Sequence, residues 1–214
     1  MANLERLRVN RSAYYNEMKE LARATRDEHG LTTARVQKSQ LRAIYRSHHI
    51  RIDLWPHRLR EVRGAYFNDE LGPTVMLSKG LPEDPMVFTM AHELKHHLVD
   101  RNLHLACCSD RNATEHIEIG AEIFAAELIY PEQDFVAALD AKGITSGQCT
   151  PEVLVRMKRE TRTTLSYAGL AKRATFLGFA ASGSLDGVRW KKLEQEIYGE
   201  PLYKVLLRRR GHAQ

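Results

Sequence analysis

The sequence predicts an α+β fold in three parts. N-terminal helices occupy residues 1–49, a core over 50–145 packs a small, mostly antiparallel sheet on a helix, and 146–214 form a helical region with a basic tail. Three observations predict it: apolar residues recur at helical spacing up to about residue 48, the pattern changes to short strand-like runs from 50, and helical spacing returns from 85 onward. A chain of 214 residues can bury one good core, or one core plus a small appendage. With 43% apolar and 28% charged residues, its composition is that of an ordinary soluble protein.

In order along the chain, residues 11–29 read as an amphipathic helix with Tyr14, Met18, Leu21 and Ala22 on one side, closed by Gly30. A second helix is expected over 38–48, with Leu41, Ile44 and Tyr45 facing inward. Strand-like runs follow at 50–55, 62–67 and 74–77, separated by Pro56 and by residues 69–73, with Gly80 and Pro82 after the last. The stretch 85–98, PMVFTMAHELKHHL, favours a helix with Asp84 as N-cap, Pro85 at the first position and an apolar stripe of Val87, Ala91, Leu94 and Leu98. Residues 113–130 read as another helix, striped by Ile117, Ala121, Phe124 and Leu128 and ended by Pro131. Shorter helices are expected from Pro131 to Ala141, from Pro151 to about 160 behind the N-cap Thr150, from Ser166 to Leu177, and from about 188 to Tyr198 and Gly199. The tail from Pro201 reads as a solvated, basic end carrying Arg208, Arg209 and Arg210.

The chemistry concentrates at His92-Glu93-Leu94-Lys95-His96. Residues four apart share a helix face, so two imidazoles at this spacing can grip one metal ion while Glu93, one step round, reaches water bound to it. That is the zincin arrangement, and both histidines lie off the apolar stripe. A solvated, His-rich helix would show the same five residues, so a second stretch has to decide. A tetrahedral catalytic metal needs a third protein ligand. Glu115, Glu118 and Glu122 sit at i, i+3 and i+7 of the following helix, and periodicity alone does not choose among them. The metzincin pattern is excluded, because its third histidine and its glycine are replaced here by Asn102 and Val99.

The pairing of FTMAHELKHHL with E-x-x-A-x-x-FAAELIYP resembles the ImmA/IrrE metallopeptidases, which carry AHELGH followed by E-x-x-A-N-x-FAAELLMP. The resemblance implies that His92 and His96 are metal ligands, Glu93 the catalytic base and Glu118 the third ligand. Ala121, Phe124, Ala125, Ala126, Leu128 and Pro131 match the rest of the second motif, and RGAYF at 63–67 looks like the family's strand ahead of the cleft edge. The departures are Lys95 for glycine, Glu122 for asparagine or aspartate, and Tyr130 for methionine. Lys95 reads as a cation beside the site, placed to repel a basic substrate or acidify bound water. Glu122, one turn after Glu118, reads either as a hydrogen-bond acceptor for a ligand histidine or as an ordinary solvent-facing glutamate.

The expected cofactor is zinc, favoured by two histidines and a glutamate, with manganese fitting the same ligands. The run 73–78 is the candidate edge strand for pairing with an extended peptide, the alternative being a strand that merely completes the core. Tyr66, Tyr130 and histidines 97, 104 and 116 are eligible by chemistry to donate to an oxyanion, against the alternative that each is structural or exposed. The resemblance implies a protein substrate, a helix-turn-helix transcriptional repressor whose cleavage switches on stress-response or mobile-element genes. LSYAGLAKRATFLGF resembles a helical stretch that follows the peptidase part in the family, so the C-terminal helices read as helix-turn-helix-like. Arg162, Lys172 and Arg173 are their candidate phosphate contacts, and the alternative is a packed helical appendage with no DNA contact. The alternative is a DNA- or repressor-binding regulator with a structural or idle metal site, and a hydrolase acting on something other than protein is a further rival.

No run of 18 apolar residues and no apolar signal core at the N-terminus give the expectation of a cytoplasmic protein with no membrane partner. Three cysteines, with Cys107 and Cys108 adjacent after His104, match no disulfide framework and no common zinc spacing, so reduced thiols are expected. The net charge of +5 permits contact with nucleic acid or an acidic protein without requiring either.

Overall fold

The computed structural model describes residues 2–56, 63–101 and 111–211. Val62, Asn102, His104, Cys107 and Cys108 lie outside the described residues, as do the side chains of Glu115, Arg209 and Arg210. Two compact units emerge, Met1–Pro131 and Glu132–Gln214.

The first unit holds α1 (Ala2–Glu28), α2 (Lys38–Ser47), β1 (Arg51–Trp55), β2 (Gly64–Asp69), β3 (Gly72–Ser78), α3 (Glu83–Val99) and α4 (Arg111–Ile129). Helix α1 runs further toward the N-terminus than its apolar stripe predicts, and it buries Met18 and Ala22 while Gly30, with φ +63°, turns the chain away. It packs along α4. There the buried Arg26 donates to the carbonyls of Leu128 and Ile129 at 2.7 and 3.3 Å, groups that a helix end leaves without internal partners. Helix α2 buries Leu41, Ile44 and Tyr45, and the Tyr45 hydroxyl donates to the Met90 carbonyl at 2.7 Å. That bond pins α2 to α3.

The sheet differs from expectation in two ways. Its order is β1-β3-β2, with β1 parallel and β2 antiparallel to β3, so it is half parallel and not mostly antiparallel. Consequently β3, the run read as the cleft edge, is the central strand. The reason is local: Glu70 and Leu71 close β2 and β3 into a hairpin, aided by Asp69 accepting from the Leu71 amide at 2.9 Å and by Gly72 at φ +91°. The hairpin occupies one side of β3 and β1 takes the other. Val75 and Leu77 of β3 are buried, and both β2 and β3 pack on α3.

Helix α3 begins at Glu83 with Pro82 as N-cap, so Asp84 and Pro85 lie inside its first turn instead of capping and opening it. Proline is tolerated there because the first-turn amides have no intrahelical acceptor, and Glu83 and Asp84 suit the positive end of the helix dipole. Val87, Ala91 and Leu94 are buried, joined by Met86 and Met90.

The second unit is helical: α5 (Glu132–Asp140), α6 (Pro151–Thr161), α7 (Tyr167–Phe176), α8 (Trp190–Tyr198) and α9 (Leu202–Gly211). The tail read as solvated therefore forms α9, and Arg208 pairs with Glu200. Ser166 caps α7 by accepting from the Gly169 amide at 3.1 Å, and Gly199, at φ +76°, ends α8. Helix α6 packs against both α7 and α8. Its Lys158 is buried and donates to the carbonyls of Thr163 and Leu165 at 2.7 and 2.8 Å. Cys149 is a buried free thiol, pushed up to about 11 by burial. No described helix is long and apolar enough to cross a membrane.

Candidate metal centre

Helix α3 sets His92 and His96 on one face with ring centroids 5.0 Å apart, and α4 brings Glu118 to them from across the helix pair. His92 Nε2 lies 3.1 Å from Glu118 Oε2 and 3.2 Å from His96 Nε2, and His96 Nε2 lies 3.6 Å from Glu118 Oε1. One donor atom from each residue falls within 4.8 Å of the others. The close approach of α1 to α4 depends on Gly120, since a Cβ there would meet the Tyr14 ring at 2.7 Å.

Residues 47–150, just under half the chain, match the family described as the IrrE N-terminal-like domain, peptidase M78. This stretch belongs to the ImmA/IrrE family of metallopeptidases. No curated protein matches the chain. Membership in that family implies a metal ion, and the donors in this IrrE-like domain fit one. Ligands at about 2.0–2.1 Å from a tetrahedral zinc stand about 3.3 Å from each other, which is the scale of the separations seen here.

Glu93 is only 5% exposed, and burial raises its pKa, with His92 and His96 pulling the other way and Glu118 adding to the rise. Its cover is β2. A Cβ on Gly64 would stand 3.1 Å from Glu93 Oε1 and 2.4 Å from Thr89 Cγ2, so the strand passes over the carboxylate at a distance only glycine permits. β2, not β3, is thus the edge strand that passes over Glu93.

Around the donors, the carboxylate that steadies a histidine from behind is Asp100. Its Oδ2 accepts from His96 Nδ1 at 2.7 Å, which leaves the lone pair of Nε2 turned toward the cluster. Asp100 follows the last turn of α3, where a carboxylate faces the negative end of the helix dipole. Hydrogen bonds and charge from His96 and Lys95 outweigh the opposing effect of burial and hold its pKa below the usual range. The sequence shows Asp100 four residues after His96, a spacing that puts the two side chains on one side of the helix, although Asp100 lies off its apolar stripe. Glu122 is exposed, one turn beyond Glu118, and its charge helps raise the pKa of His92. For His92 burial works downward, and the bond to Glu118 with the field of Glu93 more than offsets it.

Lys95 corrects an expectation. It is no cation in the cleft: at 0% exposure, its Nζ donates to Asp100 Oδ2 at 2.7 Å and to the Ile117 carbonyl at 3.1 Å. Among the described residues eligible as oxyanion donors, Tyr66, His97 and His116 have other contacts. Arg101 donates to His97 Nε2 at 2.5 Å, which puts the His97 proton on Nδ1, 3.1 Å from the Tyr66 hydroxyl oxygen. Burial, then the charges of Arg101 and His48, push His97 down to about 4. Tyr130 is buried, and His116 packs edge-on against Tyr14 with ring centroids 5.9 Å apart.

Proposed function

We propose that this chain is a zinc-dependent endopeptidase, with His92, His96 and Glu118 as metal ligands and Glu93 as general base. The observation that carries the reading is the convergence of three donor atoms beside a buried glutamate. A purely structural site has no need of such a base and fills its fourth position with a protein ligand. A bound divalent ion would supply Lewis-acid polarisation of the scissile carbonyl and acidify the attacking water. Glu93 takes that water's proton on its carboxylate and later delivers it to the leaving amine, a task suited to a carboxyl whose pKa is raised. The outer edge of β2 offers backbone groups to an extended substrate, which orients the peptide over Glu93 without demanding a sequence. Manganese fits the same donors, and Glu122 is a further acidic residue on α4 whose charge acts on His92.

The substrate we propose is a helix-turn-helix transcriptional repressor, cut in the cytoplasm to release stress-response or mobile-element genes. The family resemblance supports this. Elemental analysis of the protein purified without chelator should give about one zinc or manganese per chain, weakened in Glu118→Ala. Mass spectrometry should then find a cleaved peptide bond with the wild type and none with Glu93→Gln. Regulation that survives Glu93→Gln intact would instead favour a DNA- or repressor-binding regulator. The exposed Arg162 and Lys172, on the turn after α6 and on α7, lend that second reading its support, and steeply salt-dependent DNA binding is its signature.

A further inference from the structure

The ammonium of Lys95 stands where the two halves of the donor set meet. It comes from α3, between the two histidines in sequence. Its first acceptor, Asp100 Oδ2, is the same atom that accepts from His96 Nδ1, so a single carboxylate oxygen receives both bonds at 2.7 Å. Its second acceptor, the Ile117 carbonyl, is on α4, in the residue immediately before Glu118. The Tyr14 ring of α1 lies 5.6 Å from the nitrogen and closes the chamber. A buried lysine whose only task is to fill the core has no reason to hold one atom shared with a site histidine and a second adjoining the site glutamate. Without the ammonium, Asp100 would be left at the negative end of α3 with only His96 to hold it, and α4 would lose its polar tie to this turn.

We propose that Lys95 is a positioning residue that sets the His96 ring through Asp100 and the register of Glu118 through Ile117, so that metal affinity depends on a side chain touching no donor atom. The inference rests on the metal-binding reading above. Lys95→Met keeps length and apolar bulk while removing charge and both hydrogen bonds, which separates positioning from packing.

The test is zinc affinity of the metal-free full chain, measured by competition with a chromophoric chelator, for wild type, Lys95→Met, Asp100→Asn and the double variant. Each single change should weaken zinc by about 10–100-fold, the range for outer partners of metal ligands, and the double variant should lose less than the product of the two. The visible bands of the cobalt-loaded protein should shift as the His96 ring turns. Arg26→Met removes a buried tie to the far end of α4 and should lower stability while leaving zinc affinity within about twofold. Unchanged zinc affinity and cobalt spectrum in folded Lys95→Met would falsify the proposal and leave Lys95 a packing residue. If that variant does not fold, the ammonium resonance of Lys95 in the ¹⁵N-labelled wild type decides: it should be slow to exchange and move on zinc saturation, and an unmoved resonance overturns the proposal. A wild type that binds no zinc overturns the metal reading itself, an outcome distinct from a wild type that binds and a variant that binds equally.

Discussion

Lys95 and Lys158 occupy the same place in their helices. Each lies near the C-terminal end, reaches an acceptor five residues on, past the last turn, and sits 5.6 Å from a tyrosine ring centre. Lys158 donates to the carbonyls of Thr163 and Leu165, which belong to the turn after α6, where Arg162 takes the left-handed conformation at φ 53°. Lys95 instead spends one bond on a carboxylate that holds a site histidine and the other on a second helix. A buried lysine is therefore a device for fastening a helix exit. Whether it serves chemistry is decided by what its acceptors touch next, and the acceptors of Lys95, in the family-matched stretch, adjoin His96 and Glu118.

The contrast breaks most visibly on activity. Glu93→Gln should cut peptide hydrolysis by about 10²–10⁴-fold with metal retained, whereas Lys158→Met should leave the rate per folded molecule unchanged; equal losses in a single-turnover assay would erase the distinction. On stability the order follows the acceptor. Lys95→Met abandons a largely buried carboxylate and should cost about 3–5 kcal/mol in urea unfolding of the metal-free protein. Lys158→Met abandons two carbonyls and should cost about 2–4 kcal/mol.

Glycines sharpen the comparison. Gly64→Ala forces Thr89 or Glu93 to move and should reduce kcat by roughly 10²-fold. Gly143→Ala in the second unit meets open space at φ +67° and should cost only about 1–2 kcal/mol of stability, with kcat untouched. The smallest effect is on pH. Folded Asp100 holds its proton more weakly than an ordinary aspartate, so the unfolded chain takes up a proton first as pH falls. Its contribution is present above the ordinary carboxylate range and is lost as pH drops through the folded value. Asp100→Asn should therefore flatten the acid side of the stability profile, while Lys158→Met should shift that profile without changing its slope.

Much of this was legible in the residues. The HExxH spacing places His92 and His96 on one face whatever surrounds them, and the E-x-x-A-x-x-FAAELIYP stretch singles out Glu118 by resemblance where spacing leaves three glutamates open. Strand order was not legible, because three short runs with similar patterns carry no record of which pairs with which. The cover that Gly64 gives Glu93 escaped for the same reason, since it depends on β2 crossing α3. Lys95 was misread because a charged side chain defaults to solvent, and its burial rests on a carboxylate and a carbonyl that converge only once α3 and α4 pack.

The strand order also bears on how the first unit folds. The β2–β3 hairpin closes over Asp69 and Gly72, so its nucleation needs almost no loop closure. Arg51 of β1 must find Thr74 at a separation of 23 residues, with β2 between them in sequence. The central strand is thus committed to its local partner first, and β1 is added to a template already formed. The wall beside Glu93 belongs to the early part of that assembly, and the exposed far edge of the sheet belongs to the late part.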